Sequence, residues 1–193
     1  AKTNRVYGNI SRSKLTMPAY KHKGEGDYNK QVAKDFSEQY VLLDDKNKIF
    51  HGGGHGQVEV CDLLSRDKNL IHVKRYGKSS VLSHLFSQGF VSGQLIQIDS
   101  DFRRKVIDKL PSNFSSLLSE KNRPVTDEFT ITYAVISNSE DDDLYLPFFS
   151  RVNLNNTAKI LEGFGFKVEL LKIDVDREYA MTSKCPPGKA KKY

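Results

Sequence analysis

The chain has 193 residues, enough for one full hydrophobic core, so one main domain is expected. Apolar residues make up 38% and mean hydropathy is −0.54. No apolar run approaches the roughly 20 residues that cross a bilayer, which argues against a membrane partner. A net charge of +6 and a pI of about 9.2 favour a polyanionic partner, without naming one.

The two cysteines make no disulfide framework. Cys61 sits among apolar neighbours and reads as a small core residue, and Cys185 lies in a Pro-rich tail. A reducing, cytoplasmic setting fits this usage. The N-terminus is polar with no apolar signal core, which argues against secretion. It begins without Met, as expected of a piece of a longer protein or a processed chain.

Residues 1–24 are basic and polar and read as an extended arm. From 25 to about 37, Tyr28, Val32, Ala33 and Phe36 recur at helical spacing. Tyr40-Val-Leu-Leu43 reads as a short strand, 44–47 as a turn, 48–50 as a segment that pairs back, and 51–56 as a glycine-rich loop. A β-hairpin follows at 57–75, turning through Ser65-Arg66-Asp67-Lys68-Asn69. After Gly77, Ser79 or Ser80 caps a helix with an apolar face of Val81, Leu82, Leu85 and Phe86, ended by Gly89. Residues 93–98 are apolar and ambiguous. Asp99 or Ser100 then caps a basic helix to Leu110, interrupted by Pro111 and resumed over 114–118. Residues 129–136, rich in β-branched and aromatic types, form the clearest strand. An acidic loop at 138–143 and the run Leu146-Pro-Phe-Phe149 lead to a helix over about 153–162, stopped by Gly163 and Gly165. A last strand covers 167–173, and 179–193 read as a flexible basic tail. This order of elements predicts an α/β fold, with a mixed central sheet flanked by helices.

The hairpin carries the chemistry. His72 and Lys74 are two apart on one strand and share a face, opposite a strand that ends near Asp62. Asp62 and Glu59 offer oxygen ligands for a divalent cation, and Lys74 offers a charge for a developing phosphate oxyanion. His72 is a further candidate ligand, one that favours Mn²⁺ or Zn²⁺ over Mg²⁺. Lys74, Arg75, Tyr76 and Lys78, with Arg103 and Arg104, form basic clusters, and Tyr76 is placed to stack on a base. Ser79 and Ser80 are candidate phosphate donors at a helix start. His84 and Gln88 are four apart on the same helix face. The pair His51 and His55 lacks the further ligands that zinc requires, and the glycines between them match no phosphate-binding fingerprint. Each of these features also has an ordinary reading as a cap, a solvated face or a charged turn.

The segments "VEVCDLLSRDKNLIHVKRYGKSSVLSHLFSQGFVS", "YAVIS" and "LPFFSRVNLNNTAKILEGFGFKVELLKI" resemble a sporadically distributed bacterial family of unknown function. The likeness covers residues 25–175 and corresponds to the C-terminal half of longer members. It implies a family scattered among genomes in the manner of mobile defence genes. More distantly, the element order is similar to the PD-(D/E)XK nuclease superfamily, which implies a restriction-endonuclease-like domain over 25–178. That likeness places Glu25 on the first helix as a third acidic group and Asp62 at the end of the second strand. His72 and Lys74 become a variant of the acidic-x-Lys pair, and Gln88 lies on the helix that reaches the site. It implies a DNA-cleaving enzyme using Mg²⁺ or Mn²⁺, with RNA as another substrate, acting as a homodimer or with the rest of a longer chain in defence against foreign DNA. The alternative is a nuclease-like fold that grips nucleic acid without cutting it. A third reading is a protein-interaction domain, with Leu146-Pro-Phe-Phe149 as its contact.

Overall fold

The computed structural model of the chain describes residues 10–43, 49–51 and 56–182. The expected turn at 44–47, most of the glycine-rich loop with His55, and the tail with Cys185 lie outside them. Among the described residues no helix is long and apolar enough to cross a membrane.

The elements in chain order are β1 (Ser11–Arg12), α1 (Glu25–Asp35), β2 (Tyr40–Leu42), β3 (Ile49–Phe50), β4 (Gln57–Val58), β5 (Leu63–Ser65), β6 (Asn69–Arg75), α2 (Ser79–Ile98), α3 (Ser100–Ile107), β7 (Thr130–Ser137), α4 (Phe148–Gly163), β8 (Lys167–Asp174) and α5 (Arg177–Thr182). A six-stranded sheet runs β1-β8-β7-β6-β5-β2, and β3 and β4 form a separate antiparallel pair. β2, β5 and β6 are antiparallel neighbours, whereas β6, β7, β8 and β1 run parallel. The expected mixed α/β sheet flanked by helices is therefore present.

β7 explains its own position. All eight of its residues are buried, as a strand flanked by parallel neighbours and covered on both faces requires. Ile131, Tyr133 and Val135 face the larger core with α2, α3 and α4, and Ala134 and Ile136 face the smaller core with α1 and Tyr20. On β6, Leu70 joins the larger core, and Ile71 and Val73 the smaller.

Several boundaries differ from the sequence reading. α2 does not stop at Gly89; it runs through Gly89 and Gly93 to Ile98. A Cβ at Gly89 would meet Tyr133 Cε1 at 2.5 Å, and one at Gly93 would meet Ile131 Cδ1 at 2.6 Å. Both glycines therefore serve close packing on β7, and neither ends the helix. α3 starts as expected, with the Asp99 carboxylate accepting from the Phe102 N–H at 2.9 Å. The expected helical stretch at 114–118 is a single 3₁₀ turn, Ser115–Leu117. α4 begins at Phe148, directly after Pro147. The segment read as an arm is built in: β1 extends the sheet beside β8, and Tyr20 is fully buried in the smaller core. The start of the expected tail forms α5.

Candidate active site

The β5–β6 hairpin forms where expected, with Leu63 opposite Ile71. Lys68 takes the left-handed conformation (φ 59°) in its turn, the geometry that closes a three-residue hairpin loop. The first strand is shorter than expected: residues 59–62 are irregular, and Asp62 sits in a bend just before β5. The backbone still pairs there, with the Asp62 N–H donating to Ile71 O at 2.9 Å. The bend turns the Asp62 carboxylate toward β6. One oxygen accepts from the Val73 N–H at 2.7 Å and the other from the Asn29 amide at 3.0 Å.

α1 supplies the second acid. Glu25 and Asn29 are four residues apart and share a helix face. The Glu25 carboxylate accepts from Lys74 Nζ at 2.9 Å and from the Arg75 N–H at 2.8 Å, while Asn29 reaches Asp62. Glu59, in the irregular segment, accepts from the Gln88 amide on α2. One helix before the hairpin and one after it thus converge on the Asp62–Lys74 end of β6.

The electrostatics follow from this crowding. Burial pushes the Asp62 carboxyl from the usual 3.8 up to about 7; the charges of Glu59 and Glu25 add to the rise, and the Val73 N–H and Lys74 oppose it. For Lys74 burial acts to lower the pKa, but the Glu25 hydrogen bond and the carboxylates of Glu25, Asp62 and Glu59 more than offset it, so its pKa is raised. Lys74 is held as a cation among three acids.

His72 is placed differently. Its ring is 2% exposed, lies 6.0 Å from the Tyr133 ring, and its Nε2 is 3.5 Å from Ser92 Oγ. Burial lowers its pKa from 6.5 to about 3, which keeps the imidazole neutral. It shares a strand face with Lys74, as expected, but that face at position 72 is the floor of the larger core and offers no ligand position.

The basic candidates also divide. Arg103 is buried, and its guanidinium donates to Ile96 O, Ser119 O and Glu120 O, each at 3.0 Å. It ties the end of α2 to the following loop and is withdrawn from any nucleic acid. Arg104 is spent on Asp101 and Asp108 of its own helix. Arg75 stacks over the Tyr20 ring at 5.7 Å, and Tyr76 packs partly buried against the larger core. Ser79 Oγ lies 2.9 Å from Ser150 Oγ and joins α2 to α4. Lys78, Ser80 and His84 are exposed.

Among the described residues no group of three or more His, Cys, Asp or Glu is gathered closely enough to hold a metal ion. The donor chemistry nevertheless fits a hard divalent cation: Asp62, Glu59 and Glu25 offer carboxylate oxygens, and the buried Asn29 Oδ1 has no hydrogen-bond partner among the described residues. Asn29 was missed in the sequence. Its only signal there is a polar residue at i+4 from Glu25, beside the apolar Tyr28 and Val32.

The chain belongs to a family of unknown function (DUF6119), whose model matches residues 1–174. No curated protein and no solved structure is significantly similar to it.

Proposed function

We propose that this member of the family is a divalent-metal-dependent nuclease domain that hydrolyses phosphodiester bonds in DNA. The observation that carries the reading is the convergence of Glu25, Glu59 and Asp62 on Lys74 at one end of β6, with Asp62 shifted to about 7. A buried acid strongly shifted beside a specific charge partner is a functional-site candidate. The element order supports a restriction-endonuclease-like core: a helix bearing Glu25, an antiparallel hairpin bearing Asp62 and Lys74, then a helix bearing Gln88.

Asp62, Glu59 and Glu25 would hold Mg²⁺ or Mn²⁺, which when bound polarises the phosphate and supplies hydroxide at neutral pH. Without His72 in the set, every donor is oxygen, which suits Mg²⁺ as well as Mn²⁺. Lys74 places a permanent positive charge where negative charge grows on the phosphate. Glu25 orients Lys74, and the Val73 N–H and Asn29 orient Asp62.

A second reading is favoured by one observation. The position that carries the second acid in the PD-(D/E)XK pattern is His72, and it is buried. A nuclease-like fold that binds nucleic acid without cutting it accounts for that. Incubation of the chain with plasmid and with single-stranded DNA, in Mg²⁺ and in Mn²⁺, beside Lys74→Ala, separates the two. The enzyme reading expects metal-dependent cleavage that the substitution removes. Salt-sensitive binding without cleavage supports the second reading instead.

A further inference from the structure

Beside the acidic cluster, between β4 and α2, lies a groove of about 370 Å³. Gln57 and Val58 line one wall, and His84, Gln88 and Val91 the other. The α2 residues are spaced i, i+4, i+7, so one helix face makes that wall. Glu59 belongs both to the groove and to the cluster, and Gln88 donates to it. The groove is therefore continuous with the proposed site of hydrolysis.

We propose that this groove receives an unstacked nucleobase of the strand being cut, which makes a single-stranded segment the substrate. This inference rests on the reading of the neighbouring cluster as a phosphodiester site. Val58 and Val91 present apolar surface, while Gln57 and His84, both exposed, present hydrogen-bonding groups. A nucleobase is the part of a nucleic acid that has both an apolar face and a polar edge; sugar and phosphate have no such face. A base inside a duplex shows only its edges in the grooves, so contact between a ring face and Val58 or Val91 requires that the base be unstacked.

A second observation points the same way. Phe50 on β3 is directly opposite Gln57 on β4, and opposed residues of an antiparallel pair lie on one side. Phe50 is 61% exposed, an aromatic ring left in solvent beside the groove. Lys105 Nζ, which also pairs with Asp101 at 2.6 Å, donates to the Phe50 backbone carbonyl at 3.0 Å and so ties α3 to β3 below the ring. An exposed aromatic ring is a platform on which a base of a single strand can stack. Phe50 was read in the sequence only as part of a pairing segment.

The test uses the intact chain in EDTA, so that no strand is cut, with fluorescence anisotropy as the readout. The probes are a 15-nucleotide DNA strand, an abasic strand of the same length, and the 15-nucleotide strand annealed to its complement. Loss of base stacking is expected to weaken binding by roughly tenfold or more in the abasic strand, and the duplex is expected to bind comparably weakly. Phe50→Ala and His84→Ala, both at exposed positions, are expected to bring the single strand toward the abasic affinity. Equal affinity for the normal and abasic strands overturns the groove inference even if the chain cleaves DNA in Mg²⁺ or Mn²⁺. Base-dependent binding without cleavage in either metal keeps the groove and removes the hydrolytic reading. No binding of any of the three probes overturns the groove inference.

Discussion

His72 and Lys74 sit two residues apart on the same face of one strand, yet they belong to different regions. At position 72 the sheet is covered by α2 and Tyr133, and a titratable ring is kept neutral by burial. At position 74 the strand reaches its end, where Glu25 and Asp62 meet a lysine that stays charged. The first region is satisfied within itself by packing. The second holds three acids about one lysine and a buried Asn29 oxygen without a partner among the described residues. Natural proteins keep such local conflicts chiefly where function requires them.

If that contrast is right, substitutions at the two ends of β6 behave differently. The largest effect is on chemistry: Lys74→Ala is expected to lower metal-dependent cleavage by about 10²–10³-fold, as loss of a group that stabilises a transition state does, with a smaller loss of thermal stability because three acids lose their counter-ion. Removal of Arg103 comes next. Arg103→Ala leaves four carbonyls without their donor and is expected to cost roughly 2–4 kcal/mol of stability by urea unfolding. Arg104→Ala, at an exposed helix pair, is expected to stay within about 0.5 kcal/mol. Equal effects of the two would erase the distinction between a structural and a surface arginine.

His72 sharpens the comparison through pH. Its folded pKa of about 3 lies below the usual 6.5, so the unfolded chain binds the proton more readily between those values. Its contribution is present above 6.5 and is lost as pH falls toward 3. His72→Leu is expected to flatten the loss of stability between pH 6.5 and 4, leaving Ser92 Oγ its bond to Gly89 O. Asp62 has the opposite sign. With a folded pKa of about 7 above the usual 3.8, its contribution is present below 3.8 and is lost as pH rises through 7. Packing gives a further, modest effect. Gly89→Ala gains about 1 kcal/mol of helix propensity but drives a methyl into Tyr133, for a net loss of about 1–2 kcal/mol in denaturant unfolding.

Much of the frame was legible in the sequence. The β-branched run at β7, the β5–β6 hairpin and the Asp99 cap follow from local chemistry and form where that chemistry puts them. Gly89 and Gly93 misled because a glycine that ends a helix and one that admits a neighbouring ring look alike until Tyr133 and Ile131 are in place. Tyr20 and β1 were missed because their partners, Val175 and β8, lie more than 150 residues away in the chain. In the site, Asp62 and Lys74 were named from type and spacing and Glu25 from the nuclease likeness, and the structure brings the three side chains together. His72 and Arg103 were misassigned for a shared reason: a polar side chain in a sequence does not reveal whether the face it occupies is covered. The covering elements, α2 over His72 and the loop after α3 over Arg103, are placed by tertiary packing.

On the proposed reading, Asp62 is kept at a cost to stability because a bound cation would relieve it. The direct measurement is urea unfolding at pH 8 of the wild-type chain and Asp62→Asn, each with and without Mg²⁺ or Mn²⁺. Without metal the variant is expected to be more stable by about 1–3 kcal/mol, because a buried charge near two other acids is gone, and Asn29 can turn its free oxygen to accept from the new amide. Metal is expected to stabilise the wild type by mass action and to leave the variant unmoved. A variant less stable than wild type, or metal acting equally on both, would contradict the claim.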